Sequence, residues 1–413
     1  MEEYLKIKQM LEENGQEHLL KYYQELNKEE QESLIKQIEE IDFKQISDLY
    51  NKTKIKNKLL NDVIEPIAYM DKEKMTEDMK KYYSQIGEKS IKNNEYAVVT
   101  MAGGQGTRLG HTGPKGTYDI GLNSHKSIFE ILCDTIKQAN NEYGVKIPWY
   151  IMTSRENNEA TVKFFEENNY FNYGKENIKF FIQSEMPMLN EEGKIILEEK
   201  GKIKKASDGH GGIFSSMMKQ QIISDMQKRN VKWVFINGVD NILAKMVDAL
   251  LLGIAIDKKM LAAGKSVVKC CPEEKVGVFC KRNGRPSVVE YTEITKEMSE
   301  ERDENGELVF GESHILCNLF NIQTIIKANT MKFPYHIAFK KANYINENGE
   351  LIKPEEPNAY KFESFLFDAF GILDDMTILR VKREEEFAPI KNAEGADSPE
   401  TARKLYLNFH KLN

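Results

Sequence analysis

The chain has 413 residues, 40% of them hydrophobic and 30% charged, and its formal net charge is −7. This length and apolar content predict a globular protein with more than one domain. The acidic balance argues against a general nucleic-acid or membrane surface, since either would need a basic excess. Five cysteines without C-x-x-C spacing favour reduced thiols over disulfides or structural zinc. Neither a membrane-length apolar run nor a signal-peptide core is found, so we expect a cytoplasmic protein.

The N-terminal quarter of the chain differs in pattern from the rest. Residues 1–94 are rich in Lys, Glu and Gln and place apolar residues at helical spacing, which predicts a helical subdomain with solvated charged faces. From about Glu95, strand-like apolar runs alternate with helix-like stretches. This alternation predicts an α/β domain with a mostly parallel sheet and helices on both faces. The predicted elements are Tyr96–Thr100, Lys126–Tyr143, Trp149–Thr153, Glu156–Asn168, Ile178–Gln183, Ile213–Arg229 and Trp233–Asn237.

A glycine-rich loop follows the first predicted strand. Its sequence is MAGGQGTRLG over residues 101–110, and Pro114-Lys115-Gly116 closes it. Glycines allow several backbone N–H groups to converge on an anion, and Arg108 and Lys115 add positive charge, so the loop predicts a phosphate-bearing ligand. The Walker and dinucleotide loops do not fit, because Lys115 follows proline and Leu109 stands where a third glycine is required. A glycine-rich turn without a ligand is the alternative interpretation.

A carboxylate follows the last predicted strand. Asp240 comes just after Trp233–Asn237, and function in an open α/β sheet is expected at the carboxyl ends of strands. Mg²⁺ prefers carboxylate and phosphate oxygens, so one protein carboxylate together with substrate phosphates can hold it. The alternative is that Asp240 caps a helix beginning near Leu243.

These motifs resemble a known enzyme family. AGGQGTRLG with PKG is similar to the signature loop of sugar-nucleotide pyrophosphorylases, and most of all to the UDP-N-acetylhexosamine pyrophosphorylase branch of the UTP:sugar-1-phosphate uridylyltransferases. Similar segments recur in order along nearly the whole chain: GQEHLL, PWYIMTS, EGKIILEEK, DGHGG, VDN, VVEYTEI and FAPIKNA. The resemblance implies a Rossmann-like mixed, mostly parallel sheet of the nucleotide-diphospho-sugar transferase (GT-A-like) type. It also implies a catalytic domain at 95–383 and a C-terminal segment at 384–413, with the family's small C-terminal β domain truncated.

The resemblance assigns roles at the nucleotide. Arg108, Lys115 and Lys391 are expected to act on phosphate charge, and Asp240 is expected to bind Mg²⁺. Gln183 is expected to read the uracil edge, because an amide can both donate and accept. The residues expected to contact the nucleotide are Ala102, Gly103, Gly104, Gly106, Thr107, Gln183, Gly209 and His210. His210 is more typical of UDP-glucose pyrophosphorylases, and a structural hydrogen bond is its alternative role.

On the sugar side the resemblance points to later parts of the chain. The expected sugar contacts are Gly277, Glu290, Tyr291, Asn318, Phe365 and Phe367. The two phenylalanines also fit a helical core stripe with Phe362, Leu366 and Phe370, which is the alternative interpretation for them.

The implied reaction is attack of an N-acetylhexosamine 1-phosphate on the α-phosphorus of UTP, giving a UDP-sugar and pyrophosphate with Mg²⁺. UTP and the sugar 1-phosphate would be the partners of a monomer or weak homo-oligomer, without nucleic acid or membrane. UDP-glucose pyrophosphorylase is the first alternative. A nicotinamide dehydrogenase and a non-catalytic nucleotide-sugar sensor are the others. The sequence leaves open whether the sugar is GlcNAc, GalNAc or glucose.

Overall fold

The computed structural model describes residues 2–54, 62–331 and 333–412. Contacts divide the chain into two compact units. The smaller unit comprises Met1–Asn61, Ser184–Gly212 and Phe333–Leu366, and the larger unit comprises Asp62–Gln183, Ile213–Lys332 and Phe367–Asn413. The boundaries of these units differ from those of the predicted domains, 1–94, 95–383 and 384–413. The predicted domains stay a prediction. Residues 55–61 of the predicted helical subdomain lie outside the described residues.

An eleven-stranded sheet forms the centre of the larger unit. Its main path runs, in spatial order, through Met70–Asp71, Thr377–Arg380, Ala262–Val268, Glu312–Asn321, Trp233–Gly238, Tyr96–Met101, Trp149–Thr153 and Ile178–Ile182. Neighbours on this path are parallel, except that Glu312–Asn321 runs antiparallel to both of its neighbours. Ile64–Pro66, Val278–Arg282 and Arg285–Val289 join beside it in antiparallel pairs. The predicted mixed, mostly parallel sheet is confirmed.

The central strands are buried on both faces. Every residue of Tyr96–Met101, Trp149–Thr153 and Trp233–Gly238 is buried, as expected for strands covered by helices on either side. Three polar side chains on these strands form a continuous set of hydrogen bonds. The Trp149 indole N–H donates to the Thr100 hydroxyl at 2.9 Å, and that hydroxyl donates to Asn237 Oδ1 at 3.0 Å. This buried set of hydrogen bonds joins three neighbouring strands and therefore fixes them relative to one another.

Helices cover the sheet of the larger unit. They are Glu77–Lys92, Ile128–Tyr143, Asn158–Glu167, Ile213–Lys219, Ile222–Lys228, Ala249–Asp257, Lys296–Glu300, Ile322–Ala328, Arg383–Glu386 and Pro399–His410. The sequence specifies Ile128–Tyr143 at both ends: the Ser127 side chain accepts the Glu130 N–H, and Gly144 adopts the left-handed conformation. The single helix predicted over Ile213–Arg229 is wrong, because Gln221 at φ 60° separates two short helices.

In its described residues, the smaller unit combines three α-helices with four two-stranded sheets. The helices are Glu2–Glu13, Lys28–Glu39 and Phe43–Thr53. The strand pairs are Glu185–Pro187 with Lys205–Ser207, Leu197–Glu199 with Lys202–Ile203, His336–Lys340 with Ala359–Glu363, and Tyr344–Ile345 with Leu351–Ile352. Leu34 and Ile38, on the apolar face of the second helix, are buried in one core with Leu189 and Phe362. None of the helices described in either unit is long and apolar enough to cross a lipid bilayer.

Candidate functional site

Four parallel strands of the larger unit end at the same edge of the sheet. The glycine-rich loop leaves Tyr96–Met101, Gln183 follows Ile178–Ile182, and Asp240 follows Trp233–Gly238. Because carboxyl ends of parallel neighbours meet at one edge, three of the segments expected at the nucleotide come together there. The ideal Cβ position on Gly103 lies only 2.9 Å from Gln183 Oε1, which shows how closely the loop approaches that amide.

Backbone hydrogen bonds connect the two halves of the glycine-rich loop. The Gly106 N–H donates to the Gly113 carbonyl at 2.9 Å, and the Lys115 N–H donates to the Gly104 carbonyl at 3.1 Å. These bonds fix the strand-like halves of the loop but leave other donors available. Within the described part of the chain, the N–H groups of Gly103 and Gly104 form no hydrogen bond. Such unused backbone donors at a bend suit an anion.

Asn157 anchors the start of the loop, and we did not predict its role. Its side-chain amide donates to the carbonyls of Ala102 at 2.9 Å and Gly104 at 3.3 Å. Asn157 stands at the N-cap of Asn158–Glu167 but makes no side-chain cap bond there. Asn157 falls inside the predicted helix Glu156–Asn168, and the loop that it contacts is more than fifty residues away in sequence.

Charged side chains converge around Lys115. Burial lowers the pKa of the Lys115 amine, and the nearby cations Lys391 and Arg108 lower it further, whereas the Asp240 carboxylate opposes them. Lys115 therefore interacts electrostatically with each of the other three residues. Arg108 is exposed on the short 3₁₀ turn Thr107–Leu109. Asp397 pairs with Lys391 at 3.3 Å, so three cations face two carboxylates and the site keeps an excess of positive charge that a polyphosphate would neutralise.

The segment that carries Lys391 is attached directly to the end of the Asp240 strand. Asn241 Nδ2 donates to the Glu386 carbonyl at 2.8 Å, and Asn241 Oδ1 accepts the Ala388 N–H at 2.9 Å. The Ile390 N–H then donates to the Asp240 carbonyl at 2.9 Å. We call this set of bonds the Asn241 clamp. Lys391 itself is 40% exposed and its ammonium pairs with Asp397 at 3.3 Å.

The predicted helix cap at Asp240 is wrong. No helix begins near Leu243 in the described structure, and the next helix, Ala249–Asp257, is capped by Asp248. The Leu243 N–H instead donates to Asn241 Oδ1 at 3.2 Å. The chain after the strand is therefore shaped by the clamp, and the Asp240 carboxylate is left half-buried at the sheet edge.

A group of buried ion pairs is connected to the Asn241 clamp through Glu386. Lys265 is fully buried, and its ammonium contacts the carboxylates of Asp248 at 2.7 Å and of Glu386. The Lys72 ammonium reaches Glu386 at 3.1 Å. Our sequence analysis missed this group because its members lie far apart along the chain and carry no common motif.

Most residues expected to contact the sugar gather around His314, which we did not predict. The His314 backbone N–H donates to the Gly277 carbonyl at 2.8 Å, and the ring Nε2 lies 3.1 Å from Asn318 Oδ1. Its ring meets the Phe367 ring edge-on, with centroids 5.6 Å apart. A Cβ on Gly277 would lie 3.0 Å from Glu290 Oε1, so this carboxylate is close as well.

Asn318 and Tyr291, both expected to contact the sugar, differ in their exposure to solvent. Asn318 is fully buried, and its Nδ2 has no hydrogen-bond partner in the described chain. A buried amide donor without a partner is costly unless a ligand or water accepts its proton. Tyr291 is 46% exposed.

Gly209, His210 and Phe365 belong to the smaller unit. His210 Nδ1 accepts the Leu366 N–H at 3.0 Å, and the His210 and Phe365 rings stack at 5.2 Å. Gly209 adopts φ +84°, and a Cβ there would lie 2.2 Å from the Ser364 carbonyl oxygen, so its close backbone neighbour is Ser364. The helical stripe considered for the phenylalanines is wrong, because Phe362 lies on the strand Ala359–Glu363 and a 3₁₀ helix follows at Leu366–Ile372.

The metal-ligating residues are few. No group of three or more His, Cys, Asp or Glu side chains that could hold a metal ion occurs among the described residues. A closed protein cage is therefore not formed there. A lone carboxylate beside a cationic phosphate site does suit Mg²⁺, which keeps several waters and takes the rest of its ligands from substrate phosphates. Asp240 fits that requirement.

The chain is similar to known proteins along most of its length. A family model described as UTP–glucose-1-phosphate uridylyltransferase matches residues 41–398. The human UDP-N-acetylhexosamine pyrophosphorylase-like protein 1 is 39% identical over 345 residues, covering 81% of this chain and 68% of the human protein. The UDP-N-acetylglucosamine pyrophosphorylase of Saccharomyces cerevisiae is 38% identical over 340 residues, covering 79% and 71%.

A solved structure extends the likeness to three dimensions. The uridine diphosphate N-acetylglucosamine pyrophosphorylase of Trypanosoma brucei, crystallised with an inhibitor, superposes with a TM-score of 0.83 at 32% identity, covering 99% of this chain and 85% of that one. The family implied by the sequence motifs is thus confirmed by sequence match, by relatives and by fold. The chain belongs to the UTP–glucose-1-phosphate uridylyltransferase family.

Proposed function

We propose that this chain transfers the uridylyl group of UTP to an N-acetylhexosamine 1-phosphate and releases pyrophosphate. One observation carries the proposal: at the carboxyl edge of the sheet, Lys115 lies close enough to Asp240, Lys391 and Arg108 for each of them to shift its pKa. A site with an excess of cations beside unused backbone donors suits a triphosphate. The names of the relatives point to an N-acetylhexosamine as the sugar.

The chemistry needs positioning more than proton transfer. The attacking phosphate of the sugar 1-phosphate is already an anion, so no general base is required. The obstacle is bringing two polyanions together and stabilising the charge that develops at the α-phosphorus. Lys115, Arg108 and Lys391 supply fixed positive charge, and Gly103 and Gly104 supply backbone N–H donors. The Asn241 clamp keeps Lys391 and Asp240 on one frame.

We propose Asp240 as the residue that holds Mg²⁺. When bound, the metal neutralises phosphate charge and helps to orient the triphosphate. The chain contributes the half-buried Asp240 carboxylate, and the Asp240 carbonyl is occupied by the Ile390 N–H. The direction of the carboxylate is therefore coupled to the C-terminal segment rather than to a helix cap.

The sugar assignment rests on the group around His314. The unpartnered Nδ2 of Asn318 offers a buried donor to a sugar oxygen, and Glu290 beside Gly277 offers an acceptor for hydroxyls. Phe367 is 4% exposed and gives this group an apolar wall. We further propose that the wall receives the methyl of an acetamido group. UDP-glucose pyrophosphorylase remains the second candidate, because the matching family model carries the glucose description.

A pyrophosphate-release assay with UTP and Mg²⁺ tests the proposal. We expect GlcNAc 1-phosphate or GalNAc 1-phosphate to give the highest kcat/KM. Glucose 1-phosphate should be about 10- to 200-fold slower, because it leaves the acetamido contact unfilled. A preference for glucose 1-phosphate would move the chain to the second candidate while keeping the uridylyl transfer. No pyrophosphate release with any of the three sugars, from protein that is folded by circular dichroism, would contradict both candidates.

A further inference from the structure

Two neighbouring cysteines of the larger unit present their thiols together at the surface. Cys270 and Cys271 are both exposed, and their sulfur atoms lie 3.8 Å apart. Consecutive side chains of an extended strand point to opposite faces. The strand Ala262–Val268 has ended before this point and the chain bends, so both thiols come to one side.

The bend that carries the two thiols is held by its own hydrogen bonds. The Cys270 N–H donates to Glu274 Oε2 at 2.7 Å, and the Glu274 carboxylate receives Arg383 Nη2 at 2.8 and 3.0 Å. The buried Lys269 ammonium donates to the Pro272 carbonyl at 2.7 Å. These contacts hold the backbone on both sides of the cysteines, so the bend that carries the two thiols is formed before any ligand arrives.

The sulfur spacing fits a bridging atom better than a disulfide. A disulfide bond is about 2.04 Å long, so the two sulfurs would have to approach by roughly 1.8 Å within one short loop. An atom bonded to both sulfurs at about 2.3 Å with a near-tetrahedral angle spans about 3.8 Å, which is the metal–thiolate geometry. The observed separation therefore matches chelation with little rearrangement.

We propose that Cys270 and Cys271 form a chelating dithiol site for thiophilic ions that need only two protein ligands. Trivalent arsenic is the ion whose ligand number fits, and because its pyramidal bond angle is narrower than a tetrahedral one, the two sulfurs would approach slightly on binding. A closed zinc site needs four ligands, and no third ligating side chain joins the pair among the described residues. Trivalent arsenic in an aryl arsine oxide keeps its carbon substituent and needs two sulfurs. Both thiols bond to arsenic, and its oxygen leaves as water with the two thiol protons, so no oxidant is required.

The remaining cysteines cannot compete for such an ion. Cys133, Cys280 and Cys317 are buried, and burial raises the pKa of these thiols to about 12, 11 and 12. Thiolates are the reactive form of cysteine, so a raised pKa slows the reaction. What excludes these three side chains is their burial, which shields their sulfurs from ions in solution. Burial and the Glu274 carboxylate also raise the pKa of Cys270 to about 11. The reaction at the pair should therefore accelerate as the pH is raised.

Native mass spectrometry with phenylarsine oxide tests the site. The folded wild-type chain should gain one arsenical with loss of one water, and dithiothreitol should remove it. Cys270→Ser and Cys271→Ser should each release the adduct at an at least about tenfold lower concentration of the monothiol 2-mercaptoethanol, because a single sulfur cannot chelate. Glu273→Gln, in the same loop with both thiols intact, is the matched control and should behave as wild type.

Two results would overturn the proposal. One is the absence of an adduct on folded wild-type chain while iodoacetamide labels the exposed thiols. The other is an adduct that either serine variant retains as firmly as wild type, which would show binding through a single thiol. Unchanged thermal unfolding of the serine variants establishes that a lost adduct reflects the thiol and not the fold. Retention by wild type and Glu273→Gln alone supports chelation.

Discussion

Two groups of charged side chains in the larger unit use the same residue types in opposite ways. The first is the buried group, Lys265 and Lys72 with Asp248 and Glu386, in which two cations meet two carboxylates. The second is the phosphate group, Arg108, Lys115 and Lys391 with Asp240, in which cations outnumber the carboxylate. The first group is complete without a ligand, whereas the second is left unbalanced.

The lysine pKa values of the two groups move in opposite directions. Burial would lower the pKa of Lys265, but Asp248 and Glu386 outweigh it and raise that pKa. Burial also lowers the pKa of Lys115, and there Asp240 alone does not compensate for it. We infer that Lys265, whose carboxylate partners belong to the protein, stabilises the fold, and that Lys115, whose charge is not balanced within the protein, binds a ligand. The four predictions below test that distinction.

The largest effect is expected for the buried group. Lys265→Met leaves the Asp248 and Glu386 carboxylates without their shared cation in a water-free site. The free energy of unfolding should fall by about 3 to 5 kcal/mol, measured by urea titration. Lys137→Met removes a partly exposed lysine that pairs with Asp134 at 3.2 Å and should cost at most about 1 kcal/mol. Equal losses in the two variants would show that the buried group is not stabilising.

The next effect concerns the phosphate group. Lys115→Ala should leave the unfolding free energy nearly unchanged and lower kcat for pyrophosphate release by about 10² to 10³, because it removes charge stabilisation in the transition state. Arg108→Ala should lower kcat by at least about 10² for the same reason. Lys137→Ala is the control and should retain wild-type kcat. Normal turnover by folded Lys115→Ala would contradict the role of the loop.

Asp240→Asn should raise the Mg²⁺ concentration needed for half-maximal activity. An amide is a poorer ligand than a carboxylate for a hard cation, and we expect a shift of about 10- to 100-fold. The measurement is a Mg²⁺ titration of initial rates at saturating UTP, with wild type alongside. If the variant were instead unstable with unchanged metal dependence, Asp240 would belong with the buried group as a structural residue.

The smallest effect is on pH dependence. Lys115 must be protonated to attract phosphate, so activity is present below its pKa and is lost as the pH rises through it. Because that pKa is lowered from 10.5, the loss in kcat/KM should begin at lower pH than for an ordinary lysine. Lys115→Arg keeps its charge and should move this basic limb to higher pH, even if its maximal rate is reduced. An unmoved limb would assign the titration to another group.

Local pattern was enough to predict the sheet and its functional edge. The strand Trp149–Thr153 was predicted at its observed bounds, and Tyr96–Met101 and Trp233–Gly238 each extend one residue beyond the prediction. Continuous apolar runs bounded by glycine or polar turns are a local signal. The late start of the helix after the loop was likewise visible, because Ser127 stands directly before its apolar periodicity.

What could not be predicted depends on contacts between distant segments. A helix was expected after Asp240, but Asn241 bonds to backbone 145 residues further along and takes the chain away from helical geometry. Phe362 sits on a strand because its partner strand is His336–Lys340, which the helical spacing of the phenylalanines does not reveal. His314 and Lys265 carry no motif at all. Their roles arise only once the antiparallel strand Glu312–Asn321 lies beside Ala262–Val268.

The Asn241 clamp also bears on synthesis of the protein. Asn241 leaves the ribosome before its backbone partner at Glu386, and the 145 residues between them take roughly 7 to 30 s to translate. Until then the Asp240 strand end lacks the segment that holds it and the buried Lys265 lacks one of its two carboxylates. The nascent chain can therefore form its first parallel strands early, but the phosphate group is assembled only after the segment from Glu386 to Lys391 has emerged.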